Sequence, residues 1–231
     1  MFTRHDFTDK QALARALAEA VGANLKSGID ECGTACLAVS GGSTPVRFFE
    51  ALSTRDDIEW EKIIVTLVDE RWVDIKSSRS NAGLVAAHLL QGAAATARFV
   101  PLFGGGEEPS QDRVDKVNSE IKKLPHPFDA VVLGMGNDGH TASFFPGGDT
   151  LAAALNEPGP AIALAAPGAG EARITLTLPF LLETRALYLH IEGAEKAKTL
   201  SDALGEGEVS QMPVRAVLRQ REKPVNIYWA P

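Results

Sequence analysis

Cysteine is nearly absent from the 231-residue chain, with only Cys32 and Cys36. In a strand these two would stand too far apart to bridge, and two thiols do not complete a zinc site. A disulfide scaffold and a cysteine-zinc module are therefore excluded. Cys36 falls within Thr34-Ala35-Cys36-Leu37-Ala38-Val39 and reads as a small buried hydrophobe. No apolar run reaches membrane-spanning length, and Met1-Phe2-Thr3-Arg4-His5-Asp6 does not resemble a signal peptide. A cytoplasmic protein without a membrane partner is expected. No Ser/Pro-rich tract, charge block, low-complexity segment or repeat marks a linker, so residues 1–231 read as a single domain with a sizeable core. A basic excess is missing too. The net charge of −7 argues against a nucleic-acid surface but leaves room for a small anionic ligand.

Several cofactor and catalytic signatures are also missing. No Gly-Lys-Ser/Thr ending makes a Walker A loop, and no dinucleotide fingerprint is present. No Gly-x-Ser-x-Gly elbow or Cys/His pairing supplies a covalent nucleophile. Asp138 and His140 alone make a poor metal site. Neither a metal nor an organic cofactor is expected.

What is there is alternation. Residues from about Thr8 to Leu25 carry Leu13, Leu17, Val21 and Leu25 at helical spacing, capped by Thr8 or Asp9. A strand runs through Val39, and a helix starts at Pro45. Ile63 to Val68 reads as a strand, Asn81 to Leu90 as a helix, Arg98 to Leu102 as a short strand and Glu108 to Leu124 as an amphipathic helix. Phe128 to Leu133 reads as a buried parallel strand. Strands are expected at Ala161–Ala165, Ile174–Leu178, Leu187–Ile191 and Val225–Trp229, with helices at Ala194–Leu204 and around Val214–Leu218. Such alternation predicts an α/β fold: a three-layer, Rossmann-like arrangement whose mostly parallel sheet carries helices on both faces. The strand after Arg173 has no long helix before it, so an antiparallel or edge position is expected there.

Four strands end on glycines or charges. Ser40-Gly41-Gly42-Ser43-Thr44-Pro45 follows the first. Asp69-Glu70-Arg71-Trp72 follows Val68, and Gly134-Met135-Gly136-Asn137-Asp138-Gly139-His140 follows Leu133. Glu192-Gly193-Ala194-Glu195-Lys196 follows Ile191. A doubly wound sheet gathers such ends along one edge, where ligands bind. Gly41, Gly42, Ser43 and Thr44 at a helix start read as a phosphate or carboxylate cradle, and equally as a tight turn with an N-cap serine. Lys196 and Arg173 are candidate phosphate partners, although a lone Lys or Arg is more often a surface cation. Among the histidines, His140 alone is glycine-flanked at a strand end, and imidazole suits proton transfer at neutral pH. His190 lies inside a strand with Tyr188 and Glu192 on its face, which favours a packed structural role. Acid–base chemistry on a small phosphorylated substrate is the expectation.

These motifs resemble the 6-phosphogluconolactonase family. Ser40 to Pro45, Val68-Asp69-Glu70-Arg71-Trp72-Val73, Ser80-Asn81, Gly134 to Ser143 with Phe145-Pro146-Gly147, and Arg173-Ile174-Thr175-Leu176-Thr177 occur in the family's order across nearly the whole chain. The related glucosamine-6-phosphate deaminases continue their histidine motif with His-Ile-Ala-Phe-Asn-Glu-Pro. This chain has His140-Thr141-Ala142-Ser143-Phe144-Phe145-Pro146, without the Asn-Glu pair. Phe144 replaces a usual Leu, and Ile75-Lys76-Ser77 replaces a more acidic or proline-rich segment. The resemblance implies hydrolysis of 6-phospho-D-glucono-1,5-lactone, a step of the oxidative pentose phosphate pathway. His140 would activate water, with Asp69, Asp138 and Arg71 assisting, and Gly42, Ser43, Thr44, Arg173 and Lys196 would hold the phosphate. The rivals are a deaminase or isomerase of an amino-sugar phosphate and a non-catalytic sugar-phosphate sensor. Oligomeric state is not readable from the sequence.

Overall fold

A computed structural model describes all residues from Met1 to Pro231. In chain order the elements are β1 (Phe2–Asp6), α1 (Lys10–Cys32), β2 (Ala35–Val39), α2 (Val46–Ser53), β3 (Ile63–Leu67), β4 (Asp69–Arg71), α3 (Asn81–His88), β5 (Arg98–Val100) and α4 (Gln111–Ile121). They continue with β6 (Ala130–Leu133), α5 (Leu151–Asn156), β7 (Ala161–Leu164), β8 (Arg173–Leu176), α6 (Leu178–Leu182), β9 (Leu187–Glu192), α7 (Ala194–Leu204), α8 (Val214–Arg219) and β10 (Val225–Ala230).

Seven strands form a sheet in the order β1-β10-β9-β6-β2-β3-β5, and every pairing is parallel. All residues of β2 and β6 are buried, so both faces of the sheet are covered, as apolar parallel strands require. From β2 the chain winds outward through β3 to β5; from β6 it winds the other way through β9 to β10. The crevice at the carboxyl ends of β2 and β6 is thus the topological switch point, the standard ligand position in open α/β sheets. One contiguous core of 64 buried apolar residues underlies the whole arrangement.

A second, smaller sheet has the order β4-β8-β7 and is antiparallel throughout. It fulfils the expectation of an antiparallel strand after Arg173. That strand ends at Leu176, earlier than expected, because Thr177 caps α6, accepting from the Phe180 N–H at 3.4 Å. The outer edge of β7 is occupied by side chains. Asn118 accepts from the Ala161 N–H at 2.8 Å and donates to its carbonyl at 3.1 Å, and Thr150 Oγ1 donates to the Ala163 carbonyl at 2.7 Å.

Four elements lie outside the sequence expectation, α6 (Leu178–Leu182) among them. β1 is polar and largely exposed and carries no periodic signal; it exists because its backbone pairs with β10. β4 is only three residues long, and α5 spans six. The first helix runs on to Cys32, past the expected Leu25, and Asp9 caps it by accepting from the Ala12 N–H at 2.7 Å. Cys36 is fully buried, as expected.

Candidate active site

Two loops meet at the switch point. Ser40 Oγ accepts a hydrogen bond from the Gly134 N–H at 2.9 Å, tying the end of β2 to the end of β6. The cleft between them is lined by Ser40 to Pro45, Asp69, Arg71, Gly134 to Gly136, His140, Arg173, His190 and Lys196, among others. Every sequence-predicted site residue except Asp138 borders this cleft, and Asp138 contacts His140 directly.

The Ser40–Thr44 loop leads into α2. The backbone N–H groups of Gly41, Gly42, Ser43 and Thr44 donate to no acceptor in the protein. Gly42 has φ 88°, a left-handed conformation that glycine adopts without strain. Gly41 is required by crowding, since a Cβ there would fall 1.9 Å from Asn81 Oδ1. Lys196 Nζ donates to Thr44 Oγ1 at 3.1 Å. Burial lowers the Lys196 pKa, opposed by the nearby Glu192 charge. Unpaired N–H groups, a helix start and an ammonium converge on one place, an arrangement able to hold an anion.

In the Gly134–His140 loop the carbonyl of His140 accepts from the Gly136 N–H at 2.9 Å, and Thr141 Oγ1 donates to the Gly134 carbonyl at 2.7 Å. The imidazole folds back over Gly136, where a Cβ would approach Nδ1 to 2.2 Å. His140 Nδ1 lies 2.6 Å from Asp138 Oδ1, and the same oxygen accepts from the His140 backbone N–H at 3.1 Å. Burial alone would raise the Asp138 pKa. The hydrogen bond from His140 and its charge outweigh that and hold the carboxyl below its usual range. An ionised Asp138 accepts the hydrogen bond from Nδ1–H, so Nε2 carries the free lone pair. Ala142 adopts φ 49° although it carries a Cβ, local strain of the kind that gathers at functional sites.

The small sheet supplies the opposite wall. Asp69 is buried, and its Oδ2 accepts from Ser143 Oγ at 2.6 Å. Arg71 and Arg173 are cross-strand partners, so two guanidiniums stand together with Asp69 between β4 and β8. Arg71 Nη1 donates to the Arg79 carbonyl at 2.5 Å, and Arg173 Nη2 to the Ala169 carbonyl at 2.7 Å. The Nε atoms of both are buried without partners. Burial lowers the Arg173 pKa, countered by the charge of Asp69 and reinforced by that of Arg71.

Residues 8–229 match the family described as Glucosamine-6-phosphate isomerases/6-phosphogluconolactonase. The chain belongs to this family. Its members include a Rhizobium meliloti (strain 1021) protein named 6-phosphogluconolactonase, 49% identical over 229 residues that cover 98% of each chain. A Mesorhizobium japonicum protein of the same name is 50% identical over 97% of this chain and 94% of its own. Among solved structures, a 6-phosphogluconolactonase from Shewanella baltica superposes with a TM-score of 0.96 at 39% identity, covering 100% of this chain and 98% of that one. The Rossmann-like α/β architecture is therefore that of the family.

Within the family fold, Glu70 and Asn81 play parts that their sequence motifs did not reveal. Glu70 is fully buried and accepts from the backbone N–H groups of Arg71, Asn81 and Ala82 at 2.7–2.8 Å and from Ser80 Oγ at 3.0 Å. Burial pushes its carboxyl up, while these four donors pull it back. Glu70 thereby clamps β4 to the start of α3. Asn81 extends the clamp, its Nδ2 donating to the Asp69 carbonyl at 2.9 Å. The local signals were the runs Asp69-Glu70-Arg71 and Ser80-Asn81 themselves. No helix is long and apolar enough to cross a membrane.

Proposed function

We propose that this chain hydrolyses 6-phospho-D-glucono-1,5-lactone to 6-phospho-D-gluconate, in the oxidative pentose phosphate pathway of the cytoplasm, with residues 1–231 acting as one domain. The observation that carries the reading is the Asp138–His140 pair, 2.6 Å apart, in one cleft with the unpaired N–H groups of Gly41 to Thr44. Relatives named 6-phosphogluconolactonase, matching over nearly the full chain, support the same assignment.

A lactone carbonyl is already electrophilic, so a positioned base and water suffice. In this reading His140 Nε2 takes a proton from water as its oxygen attacks C1. The oxyanion is steadied by the Met135 N–H, which borders the cleft and donates to no protein acceptor, and by the guanidinium charge of Arg71. As the C1–ring-oxygen bond breaks, the imidazolium returns its proton to the leaving oxygen. Asp69, fixed by Ser143, orients the water or a sugar hydroxyl.

Gly41, Gly42, Ser43, Thr44 and Lys196 hold the phosphate, so that binding energy remote from the carbonyl positions it. Arg173 was expected beside them. Its pairing with Arg71 and its position 5.2 Å from the Phe145 ring centroid favour the reacting end instead. The test is turnover of freshly made phosphorylated lactone, read against its spontaneous opening. Rates no faster than background would overturn the proposal, and ammonia release from glucosamine 6-phosphate would favour the deaminase alternative.

A further inference from the structure

His190 is only 2% exposed, yet it borders the cleft. It stands on β9 one residue past the Leu133–Leu189 pair, beside the point where β6 gives way to Gly134 and Ser40 closes the gap. Nε2 lies 3.3 Å from Glu192 Oε1. Nδ1 is buried and has no hydrogen-bond partner within the protein. A buried ring nitrogen without a partner costs free energy in a packed structural histidine, so the packing role leaves this atom unexplained.

The surroundings decide which form the ring takes. Glu192 Oε2 faces Lys10 at 3.7 Å and Arg47 at 3.9 Å. Burial opposes ionisation of Glu192, but the hydrogen bond and charge of His190, with those two cations, hold the carboxyl below its usual range. An ionised Glu192 accepts from Nε2–H, which leaves Nδ1 as a bare lone pair. The other groups around the ring are Lys196 from α7, Phe48 from α2, edge-on at 6.3 Å, and Tyr228, the register partner on β10. Burial and the Lys196 charge favour the neutral ring, and Glu192 opposes them.

We propose that His190 is a ligand-binding residue at the phosphate end of the cleft, taking up one solvent proton at Nδ1 when a phosphate dianion binds and donating it to a phosphate oxygen. The inference rests on the reading that the glycine loop and Lys196 receive a phosphate. A phosphate monoester is dianionic above a pKa of about 6 and presents only acceptor oxygens. A bare Nδ1 would repel it, whereas a protonated one makes a charge-assisted hydrogen bond. Glu192 on the far nitrogen balances the new imidazolium. The ring is neutral in the empty cleft and charged in the filled one.

The experiment is calorimetric binding of 6-phosphogluconate near pH 7.5 in buffers of different ionisation enthalpy, in the His140→Asn background so that the other cleft histidine is silent. Uptake of about one proton is expected. His190→Gln should abolish the uptake and weaken binding roughly 10- to 100-fold. Ring nitrogen NMR shifts of the wild-type protein give the same answer without a core substitution, with a neutral Nε2–H tautomer when free and an imidazolium when bound. A ring that stays neutral in the complex overturns the proposal, as does unchanged uptake in a folded His190→Gln protein. If neither 6-phosphogluconate nor inorganic phosphate binds the wild type, the proposal falls together with the phosphate reading. Binding with proton uptake but no lactone turnover removes the proposed reaction and leaves His190 in its role.

Discussion

The imidazole of His140 stacks on the ring of Phe145, with centroids 4.2 Å apart and planes inclined by 24°. Phe145 is itself almost fully buried, so the imidazole rests on a packed ring while Asp138 holds its Nδ1 side. Orientation is therefore set twice, by an aromatic contact and by a carboxylate. What remains free is Nε2.

His140→Ala or His140→Asn should lose roughly 10²–10⁴ in turnover, the worth of a positioned general base. Binding of 6-phosphogluconate should change far less. Asp138, held below the ordinary carboxylate range, should stay ionised at neutral pH in both variants. Near-normal steady-state turnover in a folded variant would remove His140 from the chemistry.

Gly136→Ala should displace the imidazole, because the new Cβ would lie 2.2 Å from both Cε1 and Nδ1 of His140. The expected signature is a kcat loss approaching that of His140→Ala with the KM for phosphorylated lactone nearly kept. A crystal structure of the variant with His140 undisturbed would contradict this reading.

Lys196→Ala and Arg173→Ala should separate when assayed on two lactones. Lys196→Ala should cost about 1.5–3 kcal/mol in kcat/KM on the phosphorylated lactone, the scale of a charge-assisted hydrogen bond. Most of that cost should vanish on unphosphorylated glucono-1,5-lactone. Arg173→Ala should impair both substrates. A defect of Arg173→Ala confined to the phosphorylated lactone would return that residue to the phosphate.

Acid should destabilise the fold starting in the histidine range. Burial lowers the pKa of His190 and of His126, so the native state keeps both neutral where the unfolded chain protonates them. The unfolded state then binds more protons, and stability falls as pH drops below the unfolded value of about 6.5. Urea midpoints measured from pH 8 to pH 5 check this. His126, whose ring nitrogens are both unpartnered among Phe128 and Phe180, offers His126→Phe as a variant with a shallower slope. An unchanged slope would show that His126 is not among the groups responsible.

Exhaustive chelation should leave turnover intact. No group of three or more His, Cys, Asp or Glu side chains is placed to hold a metal ion, and three is the usual minimum for a catalytic site. Activity lost with EDTA and restored by one divalent ion would disprove this.

The large sheet was legible because its strands are mostly short apolar runs, several of which stop at glycines or charged residues that line the cleft. Ser40 to Thr44, Asp69, Arg71, His140 and Lys196 could all be marked for that reason. What escaped depends on distant partners. Asp69–Arg71 becomes a strand only by pairing with Arg173–Thr175, and no periodicity in three residues announces that. Glu70 looks like a surface acid until α3 brings its N-terminus over it. The cross-strand pairing of Arg173 with Arg71 likewise leaves no trace in the local sequence. The strand of His190 was legible, but its bare Nδ1 depends on Glu192 and on the cleft.

Asn118 occupies the hydrogen-bonding slot on β7 that another strand would need. Its amide meets both the N–H and the carbonyl of Ala161, as a neighbouring backbone would. With Thr150 on the Ala163 carbonyl, the β7 edge of the small sheet is closed to growth by β-addition. Two copies of the molecule meeting at this edge therefore find no template to share, and the wall that carries Asp69, Arg71 and Arg173 is insulated from aggregation at its own margin.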